Sequence, residues 1–353
     1  MKILVIALSG IGDALMFTPS LVKLKNDFPD CEIDALVMYK GVKDIYQDLP
    51  QISKVIYFDF LNGSKIKALS IVLSLSRRYN ASINVYPANR KEYNLISFLI
   101  GAPRRSAIKY LRKDFSNLGF LNNLSVTEND DRHNVEENIL LCEKLSGTKS
   151  ESISELQLVI KQKTTDYAKR FLESKSIHED ELVIGFHPGC STLKNHEKRR
   201  WEVHKFAGLG KRLIQNYNAR ILIFGGPEEN NLKTEIVIQI GSSNALPIHT
   251  SNLLETAAIM KRCRVFVTND SSQMHIAAAM KIKVVAIIGP TNTNYIYPWQ
   301  TEYKIASLNL DCAPCFYYSP KPLTCSRTDM QFKCIKELSV DVVYEKVSEF
   351  LKK

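Results

Sequence analysis

Short apolar runs alternate with longer amphipathic stretches along the chain. In the N-terminal half these runs lie at residues 3–8, 33–37, 55–58 and 82–85, and a second series lies at 182–186, 221–224, 265–268 and 284–288. Each run of the second series leads into a loop rich in Gly, Pro, Asp or Ser. Buried strands that alternate with helical patterns are typical of parallel sheets with crossover helices. The pattern therefore predicts two doubly wound α/β units.

Two helical segments help to place the limits of these units. Residues 133–145 have a helical pattern that Gly147 ends, and a polar stretch at 161–180 precedes the second series of strands. Near the C-terminus, Ser339 is a suitable N-cap, and apolar residues at 343, 347, 350 and 351 follow with helical spacing. We predict an N-terminal domain at 1–165, a C-terminal domain at 166–338 and a final helix at 339–353, with packing back on the first domain as one expected position for that helix.

Composition agrees with a folded two-domain protein. The chain has 353 residues, of which 45% are hydrophobic and 24% charged, and one hydrophobic core rarely grows to serve a chain of this length. No apolar run approaches the roughly 20 residues that span a bilayer. Eight cysteines without a secretory signal favour a reducing cytoplasm.

The net charge of +10 suggests a polyanionic partner, although a merely soluble surface would also explain it. Basic pairs such as Arg77-Arg78 and Arg104-Arg105 lie in the N-terminal half. They lack the regular aromatic interleaving of a nucleic-acid platform. We therefore expect phosphorylated substrates or an anionic membrane face as partners, and no nucleic acid.

The loop after the first predicted strand carries Gly10, Gly12 and Asp13. It matches only half of a dinucleotide fingerprint, because Leu15 stands where the third glycine would be and no acid ends the second strand. A nicotinamide dehydrogenase is therefore not expected. Asp13 at a strand end suits a general base, and it equally suits a helix cap.

Three later loops follow strands of the second series, where open α/β sheets bind their ligands. One contains Ser191 and leads into the basic run Lys198-Arg199-Arg200 before Trp201, a plausible phosphate clamp or simply a solvated face. The next contains Glu228 and Glu229, which suit ribose hydroxyls or a helix start.

The fourth loop joins a strand directly to a helix through small polar residues. Asp270 suits a sugar hydroxyl or a helix cap, Ser271 and Ser272 open the helix, and His275 on its first turn has either a structural or a functional role. The amides of such a helix N-terminus suit a diphosphate. No two Asp residues stand two apart in the chain, so the pattern that holds a divalent ion on a nucleotide sugar is absent. Cations and helix dipoles would then meet the phosphate charge.

Six separated motifs together resemble glycosyltransferase family 9, the ADP-heptose:lipopolysaccharide heptosyltransferases. They are residues 3–19, His187-Pro188-Gly189, the basic residues before Trp201, the loop 225–229, the loop 270–275, and Gly289-Pro290-Thr291. The resemblance implies a GT-B architecture, in which two Rossmann-like domains face each other across a cleft. It also implies an N-terminal acceptor domain, a C-terminal nucleotide-sugar domain, and inverting transfer without a metal or other cofactor.

The resemblance also implies roles for single residues. The base falls on Asp13 and the phosphate-binding cation on Arg199, where the family normally has Lys, so Lys198 and Arg200 stay alternatives. The donor-sugar carboxylate falls on Asp270. Diphosphate contacts fall on Ser271, Ser272 and His275, and the ribose acid is Glu228 or Glu229. Ser272 replaces a common Gly, which narrows the space beside the diphosphate.

The function implied is heptosyl transfer from ADP-heptose to a lipopolysaccharide core or related surface glycan. An anionic, lipid-linked acceptor would place the enzyme in the cytoplasm, transiently at the inner face of the membrane. Acceptor contacts are expected from residues 86–132. One alternative is a relative that uses another nucleotide sugar for O-antigen or capsule, and another is a non-catalytic nucleotide-sugar-binding protein.

Four cysteines near the C-terminus form a separate feature: Cys312, Cys315, Cys325 and Cys334. Their closeness in sequence suggests a structural zinc site, although the spacing does not repeat the C-x2-C pair. Ordinary free thiols are the alternative. We expect at most a structural role, at a distance from Asp13 and Asp270.

Overall fold

The computed structural model describes residues 1–317 and 322–352, and these contain two parallel sheets of six strands each. The strands of the first sheet are β1 (Lys2–Ala7), β2 (Glu32–Val37), β3 (Lys54–Tyr57), β4 (Ala81–Asn84), β5 (Arg104–Lys109) and β6 (Leu124–Thr127). Those of the second are β7 (Val183–His187), β8 (Arg220–Ile223), β9 (Ala245–Pro247), β10 (Val265–Asn269), β11 (Lys283–Ile287) and β12 (Tyr303–Ala306).

Helices connect the strands of both sheets. In the first half they are α1 (Ile11–Met16), α2 (Thr18–Asp27), α3 (Lys40–Tyr46), α4 (Lys65–Ser74), α5 (Lys91–Ile100) and α6 (Asn134–Ser146). In the second half they are α7 (Gln162–Ser174), α8 (Val203–Tyr217), α9 (Asn230–Ile240), α10 (Leu253–Met260), α11 (Ser272–Ala279), α12 (Thr293–Ile296), α13 (Lys333–Lys336) and α14 (Val340–Leu351). Among the described residues, no helix has both the length and the apolar character that a bilayer crossing needs.

Both sheets have the same strand order. The first is β3-β2-β1-β4-β5-β6, and the second, written from its other edge, is β9-β8-β7-β10-β11-β12. This is the Rossmann order, in which the direction of winding reverses beside the first strand of each half. The reversal lies between β1 and β4 in the first sheet and between β7 and β10 in the second. Ligands of such sheets bind beyond the carboxyl ends of these central strands.

The first strand of each sheet, β1 and β7, is mostly apolar because helices cover both faces of a parallel sheet. In β1 every residue from Ile3 to Ala7 is buried, and in β7 all five residues are buried. Register follows from this pattern, with Ile3 opposite Ile33 on one side of β1 and opposite Ala81 on the other. The predicted fold class is thus confirmed.

The chain divides into two compact units between Val159 and Ile160, a few residues before the predicted limit at 165. The short segment Asn294–Ile296 belongs to the first unit. The predicted helix at 133–145 is α6, which ends at Gly147 with a positive φ of 83°. This angle favours glycine, which has no side chain to strain the left-handed conformation.

The C-terminal helix belongs to the second unit. Ser339 caps α14 as predicted, its hydroxyl accepting a bond from the Val342 amide. Val343, Val347 and Phe350 enter the core of the second unit together with residues of α8 and β11. The apolar stripe of this helix is thus buried beside its own sheet, and packing of the helix on the first domain stays a prediction.

Candidate active site

Asp13 lies in the first unit, directly after the central strand β1. Gly10 is the N-cap of α1, and its amide donates a 2.9 Å hydrogen bond to the Asp13 carboxylate. The helix-capping role that the sequence allowed is therefore present. The side chain is partly exposed, and its charge helps to raise the pKa of the buried Tyr46 and Tyr93, for which burial is the main cause. A proton-accepting role for Asp13 is compatible with this position.

The second unit gathers its polar residues at the ends of β7 and β10. Arg199 and Asp270 are both 8% exposed, and the Arg199 guanidinium contacts the Asp270 carboxylate directly. Thr291 donates to the same carboxylate at 2.6 Å and accepts from Arg199 at 3.3 Å. A buried charge is costly unless it is paired. The pair explains how a cation can lie inside this edge of the sheet.

Further contacts hold the Arg199 guanidinium in place. Its second terminal nitrogen lies 3.2 Å from Nδ1 of His196, and its Cζ atom lies 5.4 Å from the centre of the Phe316 ring. Burial and the charge of Arg199 lower the pKa of His196 to about 4, so this imidazole is neutral near pH 7. A neutral ring can accept a hydrogen bond from the guanidinium.

The three basic residues before Trp201 therefore occupy different environments. Lys198 is exposed, whereas Arg199 is buried on Asp270. Arg200 donates to the carbonyl of Cys190 at 2.7 Å and stabilises the loop after β7. Arg199 contacts the predicted site residue Asp270, and Arg200 lies 3.9 Å from the carboxylate of Glu229, another predicted site residue.

A second cluster joins the loops after β7, β8 and β10. The two nitrogens of His187 lie 3.1 Å from the Glu229 carboxylate and 2.9 Å from the Ser271 hydroxyl. Glu229 also accepts from the Gly226 amide at 2.9 Å. Burial alone would raise the pKa of Glu229, but the bond and charge of His187, with the Gly226 amide and Arg200, hold it below its usual value. Glu229 is thus ionised and committed to internal contacts.

Glycine at position 189 makes room for this cluster. A Cβ atom there would lie 1.5 Å from a carboxylate oxygen of Glu229. Glu228, by contrast, is exposed. Of the two predicted ribose ligands, Glu228 is the one whose side chain faces solvent.

The predicted helix N-terminus is present. Ser271 is the N-cap of α11, Ser272 is its first residue, and both are partly exposed. His275 points inward and is 4% exposed, and burial lowers its pKa to about 4. Any contact from His275 would therefore come from a neutral imidazole. Ser191 is exposed, and its hydroxyl accepts a bond from the Leu193 amide.

A scan against protein-family models matches residues 93–323 to glycosyltransferase family 9 (heptosyltransferase). The chain belongs to glycosyltransferase family 9. It is therefore a glycosyltransferase, and its two Rossmann-like units are those of the GT-B fold.

Individual relatives agree with this membership. The chain is 28% identical to lipooligosaccharide heptosyltransferase 2 of Campylobacter jejuni serotype O:2, over 100% of this chain and 99% of the relative. The structure of Escherichia coli ADP-heptose lps heptosyltransferase II has a TM-score of 0.75 and 20% identity, covering 99% of this chain and 98% of that one. E. coli heptosyltransferase WaaC with ADP has a TM-score of 0.69 and 16% identity, covering 99% and 97%. At these identities the two solved structures support the fold alone.

Two residues that hold this candidate site together were not predicted as site residues. Asn269 is fully buried, donates to the Pro188 carbonyl at 2.7 Å and accepts from the Trp201 amide at 3.0 Å. It thereby ties the loops after β7 and β10 together. Lys233 joins the loops after β8 and β9, because its ammonium group donates to the carbonyls of Gly225 and Ile248 at 3.1 and 2.6 Å. Asn269 stood within a loop that the sequence singled out, but nothing in the sequence marked Lys233.

The cysteine-rich segment lies closer to the site than expected. Phe316, the residue after Cys315, packs on Arg199, and Leu323 donates its amide to the Lys194 carbonyl at 2.8 Å. The segment therefore supports the loop that carries Arg199, which corrects the expectation of a position away from Asp270.

The four thiols share one neighbourhood in the second unit. Burial first, and then the charges of Cys315, Cys325 and Cys312, raise the pKa of Cys334 to about 11. Cys325 packs with the apolar cluster of Phe316, Leu323 and Phe332. Within residues 1–317 and 322–352, no group of three or more His, Cys, Asp or Glu side chains is arranged to hold a metal ion. The described geometry thus supports a packing role, and the zinc hypothesis stays a prediction.

Proposed function

We propose that this chain transfers a heptose, or a similar sugar, from ADP-heptose to a lipopolysaccharide core or related surface-glycan acceptor. The observation that carries the proposal is the buried Arg199–Asp270–Thr291 cluster at the switch point of the second sheet. Membership in a heptosyltransferase family and the names of the relatives described above support the sugar and the acceptor class.

The donor would bind to the second unit. A diphosphate can lie against the N-terminus of α11, where the amides that open the helix are not used by the helix itself. Arg199 supplies a fixed positive charge beside the diphosphate. Because a guanidinium has five N–H donors, Arg199 can contact a phosphate while it also contacts Asp270. Asp270 would accept a hydrogen bond from a sugar hydroxyl, and the exposed Glu228 would accept one from the ribose.

The acceptor would bind to the first unit, through residues 86–132. In the proposed reaction Asp13 takes the proton of the acceptor hydroxyl, and that oxygen bonds to the anomeric carbon. The bond between this carbon and the diphosphate oxygen breaks, and ADP leaves with its electron pair. Arg199 and the α11 terminus stabilise the charge on ADP. Attack from the side opposite the leaving group inverts the anomeric configuration.

This reaction needs no divalent ion if Arg199 and the helix terminus meet the diphosphate charge. It also places the enzyme transiently at the cytoplasmic face of the inner membrane, where a lipid-linked acceptor would be found. A family relative that uses another nucleotide sugar for O-antigen or capsule is the second candidate. Ser272, which replaces a common glycine beside the diphosphate, is the residue that favours it.

A nucleotide panel tests the donor. ADP should raise the unfolding midpoint of the full chain more than UDP or GDP, since a ligand at about 100 times its Kd adds roughly 2.7 kcal/mol. Transfer from ADP-heptose to a core acceptor should follow, with inversion established by NMR of the product. A response to UDP or GDP instead would select the second candidate.

Asp13→Asn is the catalytic test. It should keep ADP affinity and the α1 cap, because the Asn oxygen can still accept from Gly10, but lower turnover by on the order of 10²- to 10⁴-fold. Unchanged turnover would remove Asp13 from the mechanism. A wild-type chain that binds ADP but transfers no sugar from any donor would indicate a non-catalytic binding protein.

A further inference from the structure

The first unit carries an exposed apolar face built from consecutive helices. It consists of Ile66, Leu69 and Leu73 on α4, Leu95 and Phe98 on α5, and Phe115 and Phe120 on the two short turns that follow β5. The α4 helix packs on α5, and α5 packs on both turns. We refer to these seven side chains as the α4–α5 face.

The α4 helix is unusual in how little of it is buried. Six of its ten residues are apolar, yet Val72 alone is buried. Ile66 is 82% exposed, and Leu69 and Leu73 are 50% and 52% exposed. These three residues lie on one stripe at i, i+3 and i+7. The stripe therefore faces away from the core, which α4 reaches through Val72 on another side.

The other residues of the face are equally exposed. Phe115 is 79% exposed and packs against Phe120, with 5.3 Å between ring centres. The guanidinium of Arg105 lies 5.7 Å from the ring centre of Phe98. Large exposed apolar side chains on elements that pack on one another favour a binding surface over ordinary surface scatter.

Almost all of the net charge of the chain surrounds this face. Residues 61–123 contain eleven Lys and Arg residues but only two acidic ones, Glu92 and Asp114, which gives +9 of the +10 carried by the whole chain. Seven of the basic side chains are exposed and form no ion pair with any described residue: Lys65, Lys67, Arg77, Arg78, Lys91, Lys109 and Lys113. Arg77 connects the two helices, because its amide donates to the Ile100 carbonyl at the end of α5.

We propose that the α4–α5 face docks on an anionic lipid bilayer, with its apolar side chains inserted at the interface and the surrounding cations on lipid phosphates. This is the combination by which amphipathic surfaces bind membranes without spanning them. A second copy of the chain is a poor occupant, because two faces of the same positive charge repel each other. The inference rests on the proposed function for a membrane-bound acceptor, and it locates the surface that reaches that membrane.

Vesicle co-sedimentation of the full chain tests the proposal. The chain should bind vesicles of phosphatidylcholine mixed with phosphatidylglycerol and not vesicles of phosphatidylcholine alone. Raising the salt from about 0.1 M to about 0.5 M should weaken binding, since screening shortens the reach of the cations. Wild-type protein that does not bind anionic vesicles would overturn the inference.

Matched variants then separate the apolar and the charged contributions. The triple variant Ile66→Gln/Leu69→Gln/Leu73→Gln should keep α4, because Gln is a good helix former. It should lower vesicle partitioning by about tenfold or more. Ile238→Gln, at a site 72% exposed on α9 of the second unit, is the apolar control and should have no effect.

For the charges, Lys65→Gln/Lys67→Gln should weaken binding by about fivefold per lysine. Lys163→Gln/Lys169→Gln on the exposed side of α7 is the control. Equal losses in variant and control, or none in either, would contradict the placement of the cations. Size-exclusion chromatography gives a further test. If the α4 triple variant loses dimerisation and keeps vesicle binding, a second copy of the chain covers this face and the proposal is wrong.

Transfer to an acyl-free, water-soluble acceptor keeps this inference distinct from the proposed function. The α4 triple variant should transfer sugar to that acceptor at the wild-type rate. Wild-type protein that binds anionic vesicles but transfers no sugar would refute the function and leave the surface standing. Wild-type protein that transfers sugar but shows no vesicle binding would refute the surface alone.

Discussion

The buried pair of Arg199 and Asp270 gives the sharpest prediction. Both residues are 8% exposed and in direct contact, so replacing one leaves the other as an uncompensated buried charge. Loss of one partner of a buried pair costs about 3–5 kcal/mol. Asp270→Asn and Arg199→Met should each lower the free energy of unfolding of the second unit by this amount, with the remaining Thr291 bond reducing the cost for Asp270→Asn.

The double variant makes this a thermodynamic cycle. Removing both charges should restore much of the loss, with a coupling of about 1–3 kcal/mol between the two sites. The chain has two tryptophans, Trp201 and Trp299, and both belong to the second unit. Tryptophan fluorescence in urea therefore follows this unit without a signal from the first, which avoids treating a two-domain chain as one transition.

The Arg199 variant also tests the proposed contact with the diphosphate. Arg199→Met should weaken ADP binding by roughly 10- to 100-fold, the equivalent of one charge-assisted hydrogen bond, and leave adenosine binding nearly unchanged. Equal losses for both ligands would assign the phosphate contact to Lys198 or Arg200. Single variants that unfold within about 1 kcal/mol of the wild type, with no coupling, would refute the argument that this pair is desolvated.

Further predictions concern the loop that carries Arg199, the metal question and acid stability. Phe316→Leu removes the ring beside Arg199 and should weaken ADP binding by about threefold to fivefold without affecting adenosine, as calorimetry would show. Transfer should persist in EDTA, and a loss that Mg²⁺ or Mn²⁺ restores would contradict the cation-based mechanism. Burial lowers the pKa of His275 to about 4, below its unfolded value of about 6.5. The folded unit therefore binds fewer protons than the unfolded one between these values, and its stability should fall as the pH drops from about 6.5 to about 4. A urea midpoint that does not change with pH would contradict this prediction. His275→Gln should reduce the dependence of the urea midpoint on pH. Zinc analysis of protein purified without chelator should find about one equivalent if the four cysteines form a site, and less than about a tenth would refute that hypothesis.

The sequence predicted eight of the twelve described strands, because most of their residues are apolar. All eight predicted strands are present within two residues of the predicted ends. The strands β5, β6, β9 and β12 were missed. Two of them show the reason: β5 begins with Arg104-Arg105, and β9 has only three residues. Periodicity cannot show strands that are short or half polar.

The site was predictable where a loop follows a central strand, and less so where two distant segments meet. Asp13, Asp270 and Ser271 could be placed because strand order brings those loops to the switch points. Whether Arg199 or its neighbours would turn inward could not be predicted, since it depends on Thr291 and Phe316 from far along the chain. Likewise, the contact of Glu229 with His187 requires the Glu229 carboxylate to approach the backbone at position 189, where a Cβ atom would collide with it.

The net charge of +10 is unevenly distributed between the region around α4 and α5 and the proposed donor site. Outside residues 61–123 the chain is nearly neutral, at +1, and the cation at the proposed donor site is already paired with Asp270. A paired, buried guanidinium can orient a diphosphate at close range, but it adds little to the field felt by a distant anion. The unpaired cations around α4 and α5 have the opposite character, because they are exposed and no described carboxylate neutralises them. The excess of basic residues therefore supports an anionic surface as the partner of the first unit, and it does not bear on donor binding in the second. For the same reason, salt should weaken vesicle binding far more than it weakens ADP binding.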